Sequence, residues 1–207
     1  MKQNIDVQSL LTYEKYYLEK GCRYICGVDE VGRGPLAGPV TVCAVIMDLD
    51  KLVSGVNDSK KLTAKKREAL YDKIIASAVD YNIVSLDNDV IDRINILAAT
   101  KEAMKQAVCG LKVKPDVVLV DAVKLEIPYS VHSIIHGDAL SYSIGAASIL
   151  AKVYRDRLMD DYDKIFPEYG FSSNKGYGSA KHIAALKEFG PTPIHRKTFI
   201  KNFCPEE

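Results

Sequence analysis

No stretch of the 207 residues is long and apolar enough to cross a bilayer, and residues 1–11 lack the basic-then-apolar order of a signal peptide. The expectation is a cytoplasmic protein without a membrane partner. No CxxC pair occurs among the five cysteines, Cys22, Cys26, Cys43, Cys109 and Cys204, and their number is odd, so reduced, buried thiols are expected rather than disulfides or a zinc site. Charge of one sign is also missing. A net charge of +1 argues against a protein that coats nucleic acid non-specifically, which needs clustered Lys and Arg. No GxxxxGK[ST] or GxGxxG follows a strand-like run, which speaks against a nucleotide-binding protein. No Ser/His/Asp or Cys/His arrangement offers a nucleophile, and there are no internal repeats or low-complexity linkers.

What is there suits one well-buried globular domain: 47% hydrophobic and 27% charged residues. Basic residues gather in two places, at Lys60, Lys61, Lys65, Lys66 and Arg67, and at Lys175, Lys181, Lys187, Arg196, Lys197 and Lys201, so a local basic face is compatible with near-neutral charge. Leu10, Tyr13, Tyr17 and Leu18 have helical spacing, which predicts a helix over Ser9 to Lys20, outside the core and without chemistry. Apolar runs predict strands ending at Asp29, over Val40 to Met47, over Tyr81 to Leu86, over Val117 to Val120 and over about Ser130 to Ile135. Helices are expected from the Thr63 cap to Ala78, from Asp89 to Val108, from Asp138 to about Tyr162, and from Ala180 to Phe189. The third of these is rich in small residues that let it lie close against a sheet. Two hairpin-like strands followed by alternating strand and helix give a mixed α/β sheet covered by helices.

The most informative stretch is GVDEVGRGPLAGPV, Gly27 to Val40, where an apolar strand ends in two adjacent acids and a glycine-rich turn. A second buried strand ends at Asp121, and Asp138 follows the fifth. If the first and fourth strands are parallel neighbours, Asp29 and Asp121 stand about 4.8 Å apart and repel unless a cation lies between them. Ligation by oxygen alone suits Mg²⁺ or Mn²⁺.

GVDEVGRGPLAGPV resembles the N-terminal signature of ribonuclease HII, and DSKKL, NILAAT, VLVDA, HGDALSYSIGAASILAKVYRD, GYG and GPTPIHRKTF follow in that family's order. The resemblance covers about Gly21 to Phe199. It implies the ribonuclease H-like three-layer fold, a five-stranded mixed sheet in order 3-2-1-4-5 flanked by helices, with a small helical C-terminal extension. The expected division is an N-terminal helix at 1–21, a catalytic core at 22–165 and a substrate-binding extension of the same domain at 166–207. It implies an endoribonuclease that cuts the RNA strand of RNA/DNA hybrids and the 5′ side of single ribonucleotides in duplex DNA, removing misincorporated ribonucleotides and primers. Asp29, Glu30, Asp121 and Asp138 are implied as catalytic metal ligands, for two Mg²⁺ or Mn²⁺ ions with substrate bound. Glu30 serves only if the backbone bends after Asp29, because neighbouring strand residues face opposite ways. Gly32, Arg33 and Gly34 are implied to contact the ribose 2′-hydroxyl with Tyr177, whose ring would press on the next sugar. Ser59, Lys60 and Lys175 are implied to contact substrate, with Arg196 and Lys197 as further phosphate contacts, whereas His195 is read as packed and NILAAT as packing. A monomer is expected. The chain has His136 and Leu140 where the family usually has lysines, which predicts weaker or more pH-sensitive substrate binding between about pH 6 and 8. The competing readings are a DNA nuclease such as a junction resolvase, against which GRG and Tyr177 speak, and a non-catalytic hybrid-binding protein, against which the four acids speak.

Overall fold

The apolar run after Gly21 enters the sheet as β1 (Ile25–Val31), and the chain returns antiparallel to it as β2 (Val40–Met47). β3 (Ala78–Leu86) extends the antiparallel edge, while β4 (Val117–Asp121) and β5 (Ser130–Ile134) add in parallel on the other side of β1. The strand order is β3-β2-β1-β4-β5. This computed structural model describes residues 7–204.

Alternation along the strands sends successive side chains to opposite faces. On one face Cys26, Val28, Val42, Ala44, Ile46, Val118 and Val120 meet α4 (Ile96–Cys109). On the other, Ile25, Val117, Leu119 and Ile134 meet Ile144 of the long α6 (Tyr142–Ile165), and Cys43, Val45 and Met47 meet α6 and α2 (Ala64–Ser77). The small residues of α6 do what their size suggests. A Cβ on Gly27 would lie 2.1 Å from the Ser143 carbonyl carbon, so this glycine is fixed by the helix pressed against it. Thr63 caps α2 as expected, accepting from the Lys66 N–H at 3.3 Å.

Three helices differ from their periodicity. The expected helix over Asp89 to Val108 is two, α3 (Asn88–Ile94) and α4, because Asn95 takes φ 66° and its side chain accepts from the N–H groups of Leu97 and Ala98. Asn95 is therefore a cap as well as part of a packing segment. The expected helix from Asp138 is likewise split into α5 (Gly137–Leu140) and α6, with Ser141 capping α6 through the Ile144 N–H. The N-terminal helix is α1 (Thr12–Glu19), preceded by a 3₁₀ turn at Val7–Leu10, and it is not peripheral. Tyr13 and Tyr17 pack on the β4–β5 side, and Glu14 is fully buried, accepting from Ser141 Oγ at 2.6 Å and the Ser143 N–H at 2.9 Å.

Beyond α6 the chain builds a second small core around Tyr169, Phe171, Leu186 and Ile194, closed by Ala37 and Met159. Its elements are a 3₁₀ turn (Pro167–Tyr169), α7 (Phe171–Asn174), α8 (Ala180–Phe189) and α9 (Lys197–Ile200). Cys26 and Cys43 are buried thiols, whereas Cys109 is exposed.

Candidate active site

The parallel register decides where the acids stand. Val28 pairs with Val120, so the next residue on each strand, Asp29 and Asp121, falls side by side at the carboxyl edge. Both belong to the face covered by α6. Asp29 is buried beside Ser148 of that helix, and Ser148 Oγ in turn bonds Ser59 Oγ at 2.8 Å. Asp121 is half-buried and accepts from the Gly137 N–H at 2.8 Å, which fixes α5 and so places Asp138, also buried, beside it. β1 continues in register with β2 through Val31, so no strand break follows Asp29. Glu30 nevertheless acts electrostatically on Asp29 and feels Asp121.

Crowding and burial oppose ionisation. Burial first, then the Glu30 charge, push the Asp29 carboxyl well above the usual range, partly offset by Ser148. Burial raises Asp121 as well, against the Gly137 N–H. Lys60 Nζ stands 3.3 Å from Asp138 Oδ2, on a side chain that is otherwise largely exposed. Among the described residues, no three His, Cys, Asp or Glu side chains close into a metal-binding group by themselves. The donor set is open, oxygen-only and carboxylate-rich, and its acids repel one another. Such a set fits a hard divalent cation that keeps several waters and takes further ligands from a phosphate.

The glycine-rich loop after β1 is held from beneath by two arginines that sequence reasoning missed in this role. Arg196 is fully buried and its planar fork donates to the carbonyls of Gly32, Arg33 and Gly38 at 2.6 to 3.0 Å. Arg155, also fully buried, donates to Pro39, Ala37 and Lys175. Burial lowers Arg196 to about 9 and Arg155 to about 10. Gly32 takes φ +90°, and a Cβ there would lie 2.2 Å from Arg155 Nε. Gly34 differs: a Cβ there would meet only the Tyr177 ring, at 3.6 Å, and would otherwise enter open space. The GRG and GYG segments are therefore neighbours, joined also by the Leu36 N–H on the Gly176 carbonyl at 2.8 Å. Arg33 and Tyr177 are both exposed, and Arg33 reaches Glu30 at 3.5 Å.

Other expected contacts have different neighbours. Arg196 faces backbone carbonyls instead of solvent, so it cannot meet a phosphate. The ammonium of Lys175 pairs with Asp160 and with the Asp156 carbonyl, leaving its side chain largely covered. Ser59 is buried against Ser148. Lys197 is exposed, and its N–H donates to Asp92. His136 takes φ 59° and is exposed, as is Leu140, while His195 is buried and hydrogen-bonded as expected. The only sequence signal for Arg155 was its place just after a small and apolar helical stretch.

A sheet in this strand order, with acids at the carboxyl ends of its first and fourth strands and one more on the following helix, defines a nuclease of the ribonuclease H-like class. The chain belongs to the ribonuclease HII family, whose sequence model matches residues 26–202. It is 58% identical over 199 residues to the ribonuclease HII of Lachnoclostridium phytofermentans, covering 95% of this chain and 77% of that one. The ribonuclease HII of Enterococcus faecalis is 54% identical over 187 residues, covering 90% and 73%. Among solved structures, the ribonuclease H2 from Pyrococcus horikoshii OT3 superposes with a TM-score of 0.75 at 28% identity, over 89% of this chain and 100% of that one. A chain of the PCNA:RNase HII complex from Archaeoglobus fulgidus superposes with a TM-score of 0.74 at 25% identity, over 88% and 98%. Members of the family are hydrolytic, divalent-metal-dependent endoribonucleases that act on RNA/DNA hybrids.

Proposed function

We propose that this chain cuts RNA within RNA/DNA hybrids and on the 5′ side of single ribonucleotides embedded in duplex DNA, leaving 3′-hydroxyl and 5′-phosphate ends. Asp29, Glu30, Asp121 and Asp138 would hold two divalent ions, Mg²⁺ or Mn²⁺, Glu30 by the reach of its longer side chain from an unbroken strand, since its charge is felt by Asp29 and it feels Asp121. The ions, when bound with substrate, ease ionisation of the attacking water and offset charge on the leaving 3′-oxygen. The chain's own contribution is position. Asp29 and Asp121 present their carboxylates from adjacent strands, Gly137 orients Asp121, and Ser148 orients Asp29. Gly34 leaves room for a sugar to approach the loop backbone, where a 2′-hydroxyl is sensed. Tyr177 presents its ring to the next sugar and favours a deoxynucleotide there. Lys60, exposed and beside Asp138, suits a backbone phosphate.

The observation that carries this reading is the open space at Gly34, bordered only by the Tyr177 ring and one loop from the paired acids. A site that read DNA alone would have no need of it. Three end-labelled duplexes test it: one holding a single ribonucleotide, a uniform RNA/DNA hybrid and an all-DNA control. A single cut 5′ of the ribonucleotide, cuts along the hybrid and an intact control are expected. Cutting of the all-DNA duplex would favour the resolvase-like reading instead.

A further inference from the structure

His182 and His195 are buried in the C-terminal core and joined Nε2 to Nε2 at 2.9 Å, with Tyr169 and Phe171 packed against both rings. Both ends of this pair have fixed polarity. The Thr192 N–H, which can only donate, lies 2.9 Å from His195 Nδ1, and the Thr192 hydroxyl lies 2.8 Å from the same atom. The Tyr177 carbonyl, which can only accept, lies 2.9 Å from His182 Nδ1. A neutral imidazole carries one N–H and one acceptor nitrogen. His195 must therefore hold its proton on Nε2 and donate to His182, and His182 must hold its proton on Nδ1 and donate to Tyr177. A second proton on either ring would set two donors face to face. Burial keeps both rings neutral, pushing His195 down to about 4 and lowering His182.

The two ends of this relay lie on different loops. Tyr177 belongs to the GYG turn, where its carbonyl also accepts from the Ser179 N–H at 2.8 Å. His195 is tied to the segment after GRG, forming a β-bridge with Ala37, and the Arg196 N–H that follows it donates to the Leu36 carbonyl at 2.9 Å. Asn88 Nδ2 fixes the His195 carbonyl from α3. The neighbouring Arg196 guanidinium is turned to the Gly32, Arg33 and Gly38 carbonyls, so the imidazole pair is what ties the Tyr177 carbonyl to this segment, beside the Leu36 N–H on the Gly176 carbonyl and Arg155 on the Lys175 carbonyl.

We propose that His182 and His195 are specificity-determining positioning residues: the directed chain from Thr192 through both imidazoles fixes the Tyr177 turn relative to the GRG loop. The place of the Tyr177 ring on the sugar 3′ of the ribonucleotide is then set from inside the C-terminal core. This role rests on the reading of Tyr177 given above.

Two substitutions at His182 separate this from plain packing. His182→Asn puts an amide donor near the position of Nδ1 and keeps the bond to Tyr177. His182→Gln puts its amide near Nε2, keeps a partner for His195 and leaves the Tyr177 carbonyl with the local Ser179 N–H alone, cut off from the C-terminal core. Each is assayed on a duplex with one ribonucleotide followed by deoxynucleotides and on a uniform hybrid, alone and combined with Tyr177→Ala. His182→Gln is expected to lower the ratio of the two kcat/KM values about tenfold, within the ~hundredfold that a 1 Å misplacement can cost. His182→Asn should stay within about twofold, and neither should change the ratio further beside Tyr177→Ala, because coupled residues are non-additive. Imidazole ¹⁵N spectra of the wild-type protein should show His195 as the Nε2–H tautomer and His182 as the Nδ1–H tautomer. Opposite tautomers, equal ratios for the two His182 variants, or an undiminished effect beside Tyr177→Ala would overturn the relay. Should Tyr177→Ala lower the ratio while His182→Gln does not, the relay alone fails. A ratio unmoved by Tyr177→Ala would sink the sugar reading and the relay's role with it.

Discussion

Asp29, proposed above as a metal ligand, works against the fold that holds it. Its carboxyl is raised chiefly by burial and then by Glu30, so its contribution to stability is fully present below the unfolded value of about 3.9 and is lost as pH rises through the folded one. At neutral pH, where Asp29 of the unfolded chain is ionised, the raised folded value weakens the metal-free protein. Asp29→Asn should melt a few degrees higher than wild type in chelator at pH 7, with the gap closing toward pH 4; calorimetry across that range checks it, and a lower melting temperature for the variant would refute the electrostatic assignment. Divalent cations should raise the wild-type melting temperature more than that of the variant. Asp29 and Asp121 were legible because a buried strand ending in carboxylate is unusual in any sequence, whereas Glu30 and Asp138 were singled out by the family resemblance. Arg196 and Lys175 were not legible in the same way. Their charge can be read from the sequence, but not whether the group meets solvent, a carbonyl or Asp160.

Among elements, α6 does most to shape the site, since it carries Ser148, lies against Gly27 and begins just after Asp138. Its first turn is completed by Glu14 of α1, a contact across 127 residues that no local pattern announces. The tyrosine stripe of α1 was visible in the sequence; the burial of the acid between those tyrosines was not. Glu14→Ala leaves Ser141 Oγ and the Ser143 N–H without their acceptor in a buried place and should lower unfolding free energy by about 1–3 kcal/mol. Urea denaturation measures this, and Glu14→Gln, which keeps an oxygen there, should lose less. Equal stability of Glu14→Ala and wild type would return α1 to the periphery. The break at Asn95 has a similar origin: one side chain satisfying two N–H groups outweighs continuous helical periodicity on either side of it.

On the scale of the whole molecule, a sheet that fixes the acids is joined to a C-terminal layer that fixes the GRG and GYG loops, and Arg155 and Arg196 are central to the joint. That the sheet is mixed could be read from the alternation of strand and helix, and its strand order from the resemblance. The joint could not, because it depends on carbonyls of a loop more than 150 residues away from Arg196. A lysine in its place has no planar fork to span three carbonyls. Arg196→Lys should cost roughly 2–4 kcal/mol of stability and raise KM for a single-ribonucleotide duplex more than it lowers kcat. An unchanged KM in steady-state kinetics would show that the loop is held by other means.

The paired carboxylates are tested most directly by single-turnover cleavage of an end-labelled duplex holding one ribonucleotide, with Mg²⁺, Mn²⁺ or chelator, by wild-type protein and Asp121→Asn. The wild type should make one metal-dependent cut 5′ of the ribonucleotide, and Asp121→Asn should cut slower by roughly 10²–10³ or more while still binding the duplex. Cleavage in chelator, or an Asp121→Asn variant as fast as wild type, would contradict the assignment of Asp29 and Asp121 as the centre of the chemistry.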